Sequence, residues 1–137
     1  MENNRIFAIR TLADILDNKC FLSSCTSYNQ CKDKAFLNML IRTTLRHLVF
    51  IKKIIKQNVK KTPSSSTCKY ALYLGICEIL YMDTPHYAIL NSYVSIVKKE
   101  TDKYIGGFIN AVLRKICQNK EEILSQDNCE FFTNDFF

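Results

Sequence analysis

Residues 68–81, CKYALYLGICEILY, are apolar on nearly every side of a helix, and this stretch constrains the fold more than any other. Leu72, Ile76, Ile79 and Leu80 form one stripe, which Tyr70, Tyr73, Leu74 and Cys77 extend round the helix. A helix without a polar face has no side to offer water, so it belongs at the centre of a bundle. Gly75 inside it costs about 1 kcal/mol against Ala, which points to a neighbouring helix crossing close at that position.

The rest of the chain reads as one-sided helices that can surround such a rod. Ile6, Ile9, Leu12, Ala13 and Leu16 recur at three- and four-residue steps and predict a helix over about residues 4–18. Residues 19–32 carry Ser, Thr, Asn and Cys without an evident period and read as a loop. Asp33 is placed to cap a second helix, whose stripe runs through Phe36, Leu37, Leu40, Ile41, Leu45, Leu48, Ile51, Ile54 and Ile55. That helix is either continuous or kinked on the way to about Val59. If it is continuous, Arg42, Arg46, Lys53, Lys56 and Lys60 lie near one face. Residues 62–66, TPSSS, break it, and a serine in the run caps the central helix. Thr84-Pro85 reads as the next start, with Thr84 as the cap and Pro85 in the first turn. Ile89, Tyr93, Ile96 and Val97 carry that helix to about Lys99. Ile105, Phe108, Ile109, Val112, Leu113 and Ile116 define the last one, with Gly106-Gly107 at its start. With three Gly, two Pro and no sustained alternation, the pattern predicts an all-α bundle of five or six helices.

Length and motif content remove several classes. A chain of 137 residues makes one domain with a real core and has no room for an added nucleotide-cofactor domain. No apolar run reaches the ~18 residues of a spanning helix. The opening Met1-Glu2-Asn3-Asn4-Arg5 lacks the form of a secretory signal, so no membrane association and a cytoplasmic location are expected. The seven cysteines are scattered, without C-x-x-C or a histidine at ligand spacing. Cys77 and Cys117 read as small core residues and the others as free thiols. There is no phosphate-cradling glycine loop and no nucleophile elbow. His47 and His86 read as surface or capping residues. No catalytic residue, metal or cofactor is expected.

Charge supplies the first functional indication. Between Asp33 and Glu78 there are nine basic residues and no acidic one. Residues 1–118 hold 18 basic and 8 acidic side chains, a net +10, whereas residues 119–137 hold one basic and five acidic. A field of one sign suits a polyanion such as RNA, although a solvated lysine-rich face gives the same composition. The division suggested is a basic helical unit over 1–118 and an acidic C-terminal tail over 119–137. The tail carries Phe131, Phe132, Phe136 and Phe137, which dock on the bundle or meet a partner.

Three segments then carry a resemblance: DKAFLNMLIRTTLRHL at 33–48, YALYLGICEILYMDTPHYAILNSYVSIVKK at 70–99, and GGFINAVLRKI at 106–116. In this order and spacing the chain resembles the NusB superfamily of helical RNA-binding domains, over about residues 4–118. The resemblance implies a NusB-like bundle of about five to seven helices. One branch of that superfamily consists of free-standing transcription antitermination factors. These bind single-stranded boxA RNA together with a small-subunit ribosomal protein, NusE. The other branch is the N-terminal domain of RsmB- or Sun-type ribosomal RNA cytosine-5 methyltransferases. The wording of Asp33-Lys34-Ala35-Phe36, Thr44-Leu45-Arg46 and Pro85-His86 leans toward the second branch, and the length toward the first. A helical adaptor that binds protein and no RNA is the third reading.

Single-stranded RNA needs cations for phosphate and flat side chains on which unpaired bases stack. Arg5 and Arg10 are candidates for the first task, with Arg114 or Lys115 from the last helix. The resemblance puts Phe108 where the family has an aromatic near RNA, although Phe108 also fits the core stripe. Tyr104 lies one turn earlier. Arg42 and Arg46 either extend the phosphate track or cap a neighbouring helix. Asn110 belongs to the family motif, or bonds backbone between helices.

Overall fold

The apolar rod requires a jacket of helices, and the chain supplies one. The computed structural model describes residues 2–61 and 65–126. Its helices are α1 (Glu2–Asn18), a 3-10 turn (Leu22–Ser24), α2 (Thr26–Gln30), α3 (Lys34–Arg46), α4 (Leu48–Asn58), α5 (Ser66–Tyr81), α6 (His86–Glu100) and α7 (Lys103–Gln118). A last helical stretch covers residues 120–126. No strand occurs among the described residues, and none of the helices there is long and apolar enough to cross a membrane. The fold is the all-α bundle that the spacing predicts.

Helix α5 is the centre. Every residue from Tyr70 to Leu80 is buried, and α1, α3, α4, α6 and α7 all pack on it. α7 and α6 crowd the rod at Gly75: a Cβ there would stand 3.0 Å from Leu113 Cδ2 and 3.5 Å from Tyr93 Cδ2. Buried stripes face this rod from the other helices, with Leu37, Leu40 and Ile41 on α3, Ile51, Ile54 and Ile55 on α4, and Ile109, Val112, Leu113 and Ile116 on α7. Caps set the ends. Asp33 accepts from Phe36 N at 3.1 Å, Ser65 from Cys68 N at 3.3 Å, and Asp102 from Ile105 N at 2.9 Å.

Three local readings need correction, and the open choice between a continuous and a kinked second helix falls to the kinked one. Residues 19–32 are not simply a loop, because they contain the 3-10 turn and α2. Leu22, Cys25, Tyr28 and Cys31 recur every third residue and pack inward, and burial of that row turns the segment helical. The second helix is two helices, α3 and α4, broken at His47, whose ring stacks on Tyr81 at 3.8 Å and 13°. The break is a bend, since His47 N still donates to Thr43 O at 3.2 Å and Ile51 N to His47 O at 2.9 Å. Thr84 does not cap α6. Pro85 holds the cap position, and the Thr84 hydroxyl donates to Glu78 Oε1 at 3.1 Å. Cys25, Cys31 and Cys68 are core residues alongside Cys77, whereas Cys117 is only half-buried.

The acidic tail also begins on the bundle. Ile123, within residues 120–126, is buried in the core and Leu124 packs against it. Phe131, Phe132, Phe136 and Phe137 lie outside the described residues.

Two outcomes follow from this packing. Replacing Gly75 by Leu drives a side chain into Leu113 and Tyr93. It is expected to lower the unfolding free energy by about 1–3 kcal/mol in urea titration. Burial pushes the Cys68 thiol up to about 11 and Cys77 up to about 12, the latter also through the Glu78 charge and against a hydrogen bond with Thr44. Both thiols are therefore held neutral in the folded state and ionise first in the unfolded one. Stability is expected to be complete below about pH 8 and to fall as pH rises through about 9–12. The urea midpoint followed over that range checks this, and Cys77→Ala should flatten the fall.

Candidate nucleic-acid interface

A carboxylate inside an apolar helix has to be met by donors, and Glu78 is wholly buried in α5. Arg5 of α1 grips it with two bonds, Nε to Oε2 at 2.9 Å and Nη2 to Oε1 at 2.8 Å. The Tyr93 hydroxyl of α6 donates to Oε2 and Thr84 donates to Oε1, so four donors converge on the two oxygens. The guanidinium lies 5.6 Å from the Phe36 ring centroid and 5.7 Å from that of Tyr93. Burial alone would lower the Arg5 pKa, but the Glu78 hydrogen bonds and charge outweigh it and raise it further. Burial, with the Glu78 charge, pushes the Tyr93 phenol far above its ordinary value.

Arg5 is thus removed from the candidate RNA contacts. It is 8% exposed, with Nε and Nη2 committed to Glu78 and Nη1 donating to Ser92 Oγ at 3.5 Å. Sequence reasoning paired it with Arg10 because both lie on the first helix. It missed Glu78 altogether, although one acid in an otherwise apolar rod is itself the signal that a buried cation will pair with it.

The other candidates separate into three places. Tyr104, Phe108 and Lys115 sit at spacings of four and seven on α7, one stripe about 16 Å long. Tyr104 is 90% exposed, Phe108 is half-buried against the core edge, and Lys115 is exposed. Arg114 points to another side, into a shallow groove between α6 and α7 that also holds Asn110, Asn91 and Lys98. Gly106 makes that geometry possible. A Cβ there would meet Lys98 Cγ at 2.2 Å, so the lysine stem crosses α7 only over a glycine.

Arg10 reaches the same end of the bundle from α1. Its Nη2 lies 3.9 Å from Glu100 Oε1, at the turn that leads into Tyr104. A pair this long and this exposed is worth little, which leaves the guanidinium available to phosphate. Arg42 and Arg46 lie elsewhere. Helix α3 packs on α1, α2, α4 and α5, and α7 on α5 and α6, so the central rod separates the two arginines from the α7 stripe. Both are exposed, and Arg42 Nε donates to Asn38 Oδ1 at 2.7 Å.

The chain is an all-α bundle that holds an exposed tyrosine and exposed cations on its last long helix. The family model of the NusB family matches residues 2–118, and the chain belongs to that family. It is 37% identical over 103 residues to transcription antitermination protein NusB of Thermodesulfovibrio yellowstonii, a match covering 71% of this chain and 66% of that protein. It is 31% identical over 135 residues to ribosomal RNA small subunit methyltransferase B of Serratia proteamaculans, covering 92% of this chain and 32% of that protein. The chain therefore spans about two thirds of the first relative and a third of the second. A crystal structure of antitermination factors NusB and NusE in complex with dsRNA shares the fold, with a TM-score of 0.76 at 22% identity over 85% of this chain and 95% of that one.

Truncating Arg5 strands Glu78 in the core. Arg5→Ala is expected to cost about 3–5 kcal/mol of stability. Arg5→Lys should recover little of it, because a single ammonium cannot reproduce the two-pronged contact. Chemical denaturation of the two variants measures both.

Proposed function

We propose that the chain is a NusB-type RNA-binding factor of the cytoplasm, acting in transcription antitermination and ribosomal RNA synthesis. In this reading it binds a single-stranded boxA-like RNA together with the small-subunit ribosomal protein NusE. The observation that carries the reading is Tyr104, an aromatic held 90% in solvent on a helix that also presents Arg114 and Lys115. An exposed ring of that size has no packing role, and beside cations it is a platform for an unpaired base. Phe108 continues the platform, Arg10 and Lys115 serve phosphate, and residues 1–118 form the binding unit. The antitermination relative and the fold shared with a NusB–NusE complex support this assignment. The chain is read as a binder and not a catalyst.

A second reading rests on one observation: the methyltransferase match runs over 92% of the chain, against 71% for the antitermination relative. In that reading the same surface docks a ribosomal RNA substrate for a catalytic domain elsewhere. The size of the native polypeptide in the cell separates the two.

Anisotropy of a labelled boxA-like single strand, titrated at two salt concentrations and against a scrambled strand, tests the proposal. Tyr104→Ala is expected to weaken binding by about 1–3 kcal/mol. Arg10→Ala with Lys115→Ala should make the salt dependence shallower. Unchanged affinity in the combined variant would overturn the proposed surface.

A further inference from the structure

The flank formed by α3 and α4 is also strongly charged. Arg42 and Arg46 on α3, Lys52 and Lys56 on α4, and Lys60 and Lys61 just beyond α4 are all exposed. On α4 the lysines lie opposite the buried stripe of Ile51, Ile54 and Ile55. Because α3 runs into α4 through the single bent residue His47, with backbone bonds continuing on both sides of it, the exposed outer faces of the two helices adjoin and form one basic ridge. From Arg42 to Lys56 it is at most about 21 Å long at the helical rise.

No acid tempers it from within, since residues 34–77 contain none. The two acids that bound this stretch are occupied: Asp33 caps α3, and Glu78 is buried on Arg5. Cations crowded along one stretch of chain repel one another, an arrangement that a polyanion relieves.

The ridge differs from the α7 stripe in what it lacks. The large apolar side chains exposed on α3 and α4 are Met39 and Val49, and neither is aromatic. Without a stacking surface it is poorly suited to unpaired bases, whereas mobile ammonium groups suit phosphates of any sequence. A membrane surface fits less well, because the apolar face of α4 is buried against the bundle and only Val49 is left to insert.

We propose that the α3–α4 ridge is a second RNA-binding surface, which holds the phosphate backbone of double-stranded RNA without regard to sequence. It leaves the α7 stripe to the single strand. The two surfaces let one molecule hold a single-stranded signal and a neighbouring duplex of the same transcript.

The test uses the full chain with Lys52→Ala, Lys56→Ala and Lys60→Ala combined. A control variant removes the exposed Lys19, Lys32 and Lys99, an equal charge located elsewhere. The probe is a labelled RNA duplex of about 16 base pairs, read by anisotropy across salt concentrations. The ridge variant is expected to lose about tenfold in duplex affinity and to lower the log–log salt slope by about 2–3. The control should lose far less, and the boxA-like single strand should bind the ridge variant as before. Unchanged duplex affinity, an equal loss in the control, or a parallel loss of single-strand binding would each overturn the proposal. So would binding of anionic phospholipid vesicles through these lysines with no duplex binding. Failure of the α7 variants to affect the single strand would overturn the earlier reading and leave this one standing.

Discussion

The bundle turns on one buried ion pair. Helix α5 can sit at the centre because it is apolar all round, except at Glu78, and a lone carboxylate there would be prohibitive. Arg5 answers it from α1, Tyr93 from α6, and Thr84 from the turn before α6. Apolar contacts tolerate small slips along a helix, but a two-pronged guanidinium–carboxylate contact does not. The net stability gained from such a pair is small, since desolvation offsets most of the attraction. Its effect is to fix the registers of α1 and α6 against the rod. The α6–α7 turn, and with it Tyr104, is then placed relative to Arg10.

The same pair explains why the outer surface is free to be basic. Arg5 and Glu78 cancel inside the core. The acid-free stretch runs through α3, α4 and the first part of α5, and α5 is buried, so most of its cations fall on α3 and α4. On the other flank, α6 and α7 alternate apolar contact with the polar groove of Asn91, Lys98, Asn110 and Arg114. The central rod separates these two charged regions. A bundle built this way presents independent faces where a flatter fold would merge them.

Much of this was legible in the sequence because it depends on local pattern. The all-round apolar run defined the centre, and the three- and four-residue stripes defined α1, α6 and α7. Asp33 and a serine before the central helix announced caps that the structure contains. Gly75 signalled the close crossing with α7. The failures share a different cause. Arg5 and Glu78 lie 73 residues apart, and no local spacing links them. Thr84 resembles a cap in every local respect, and only the position of Glu78 draws its hydroxyl inward. The row Leu22, Cys25, Tyr28 and Cys31 has a period of three, which a search for 3.6-residue repeats passes over. The division of the basic residues between two flanks was equally invisible, because it depends on which helices the rod keeps apart.

The bend at His47 shows how a local irregularity shapes the outer surface. A straight helix from Lys34 to Asn58 would be about 38 Å long and would overrun the rod, which spans Ser66 to Tyr81. Neither Gly nor Pro stands at the bend. The His47 ring instead stacks flat on Tyr81, the last residue of α5, which ties the bend to the end of the rod. The turn keeps Ile51, Ile54 and Ile55 in the core and leaves Lys52 and Lys56 in solvent. The bend at the end of the rod therefore goes with two features of α4 together: it contributes to the core through Ile51, Ile54 and Ile55, and it keeps its lysines on the outer face beside α3.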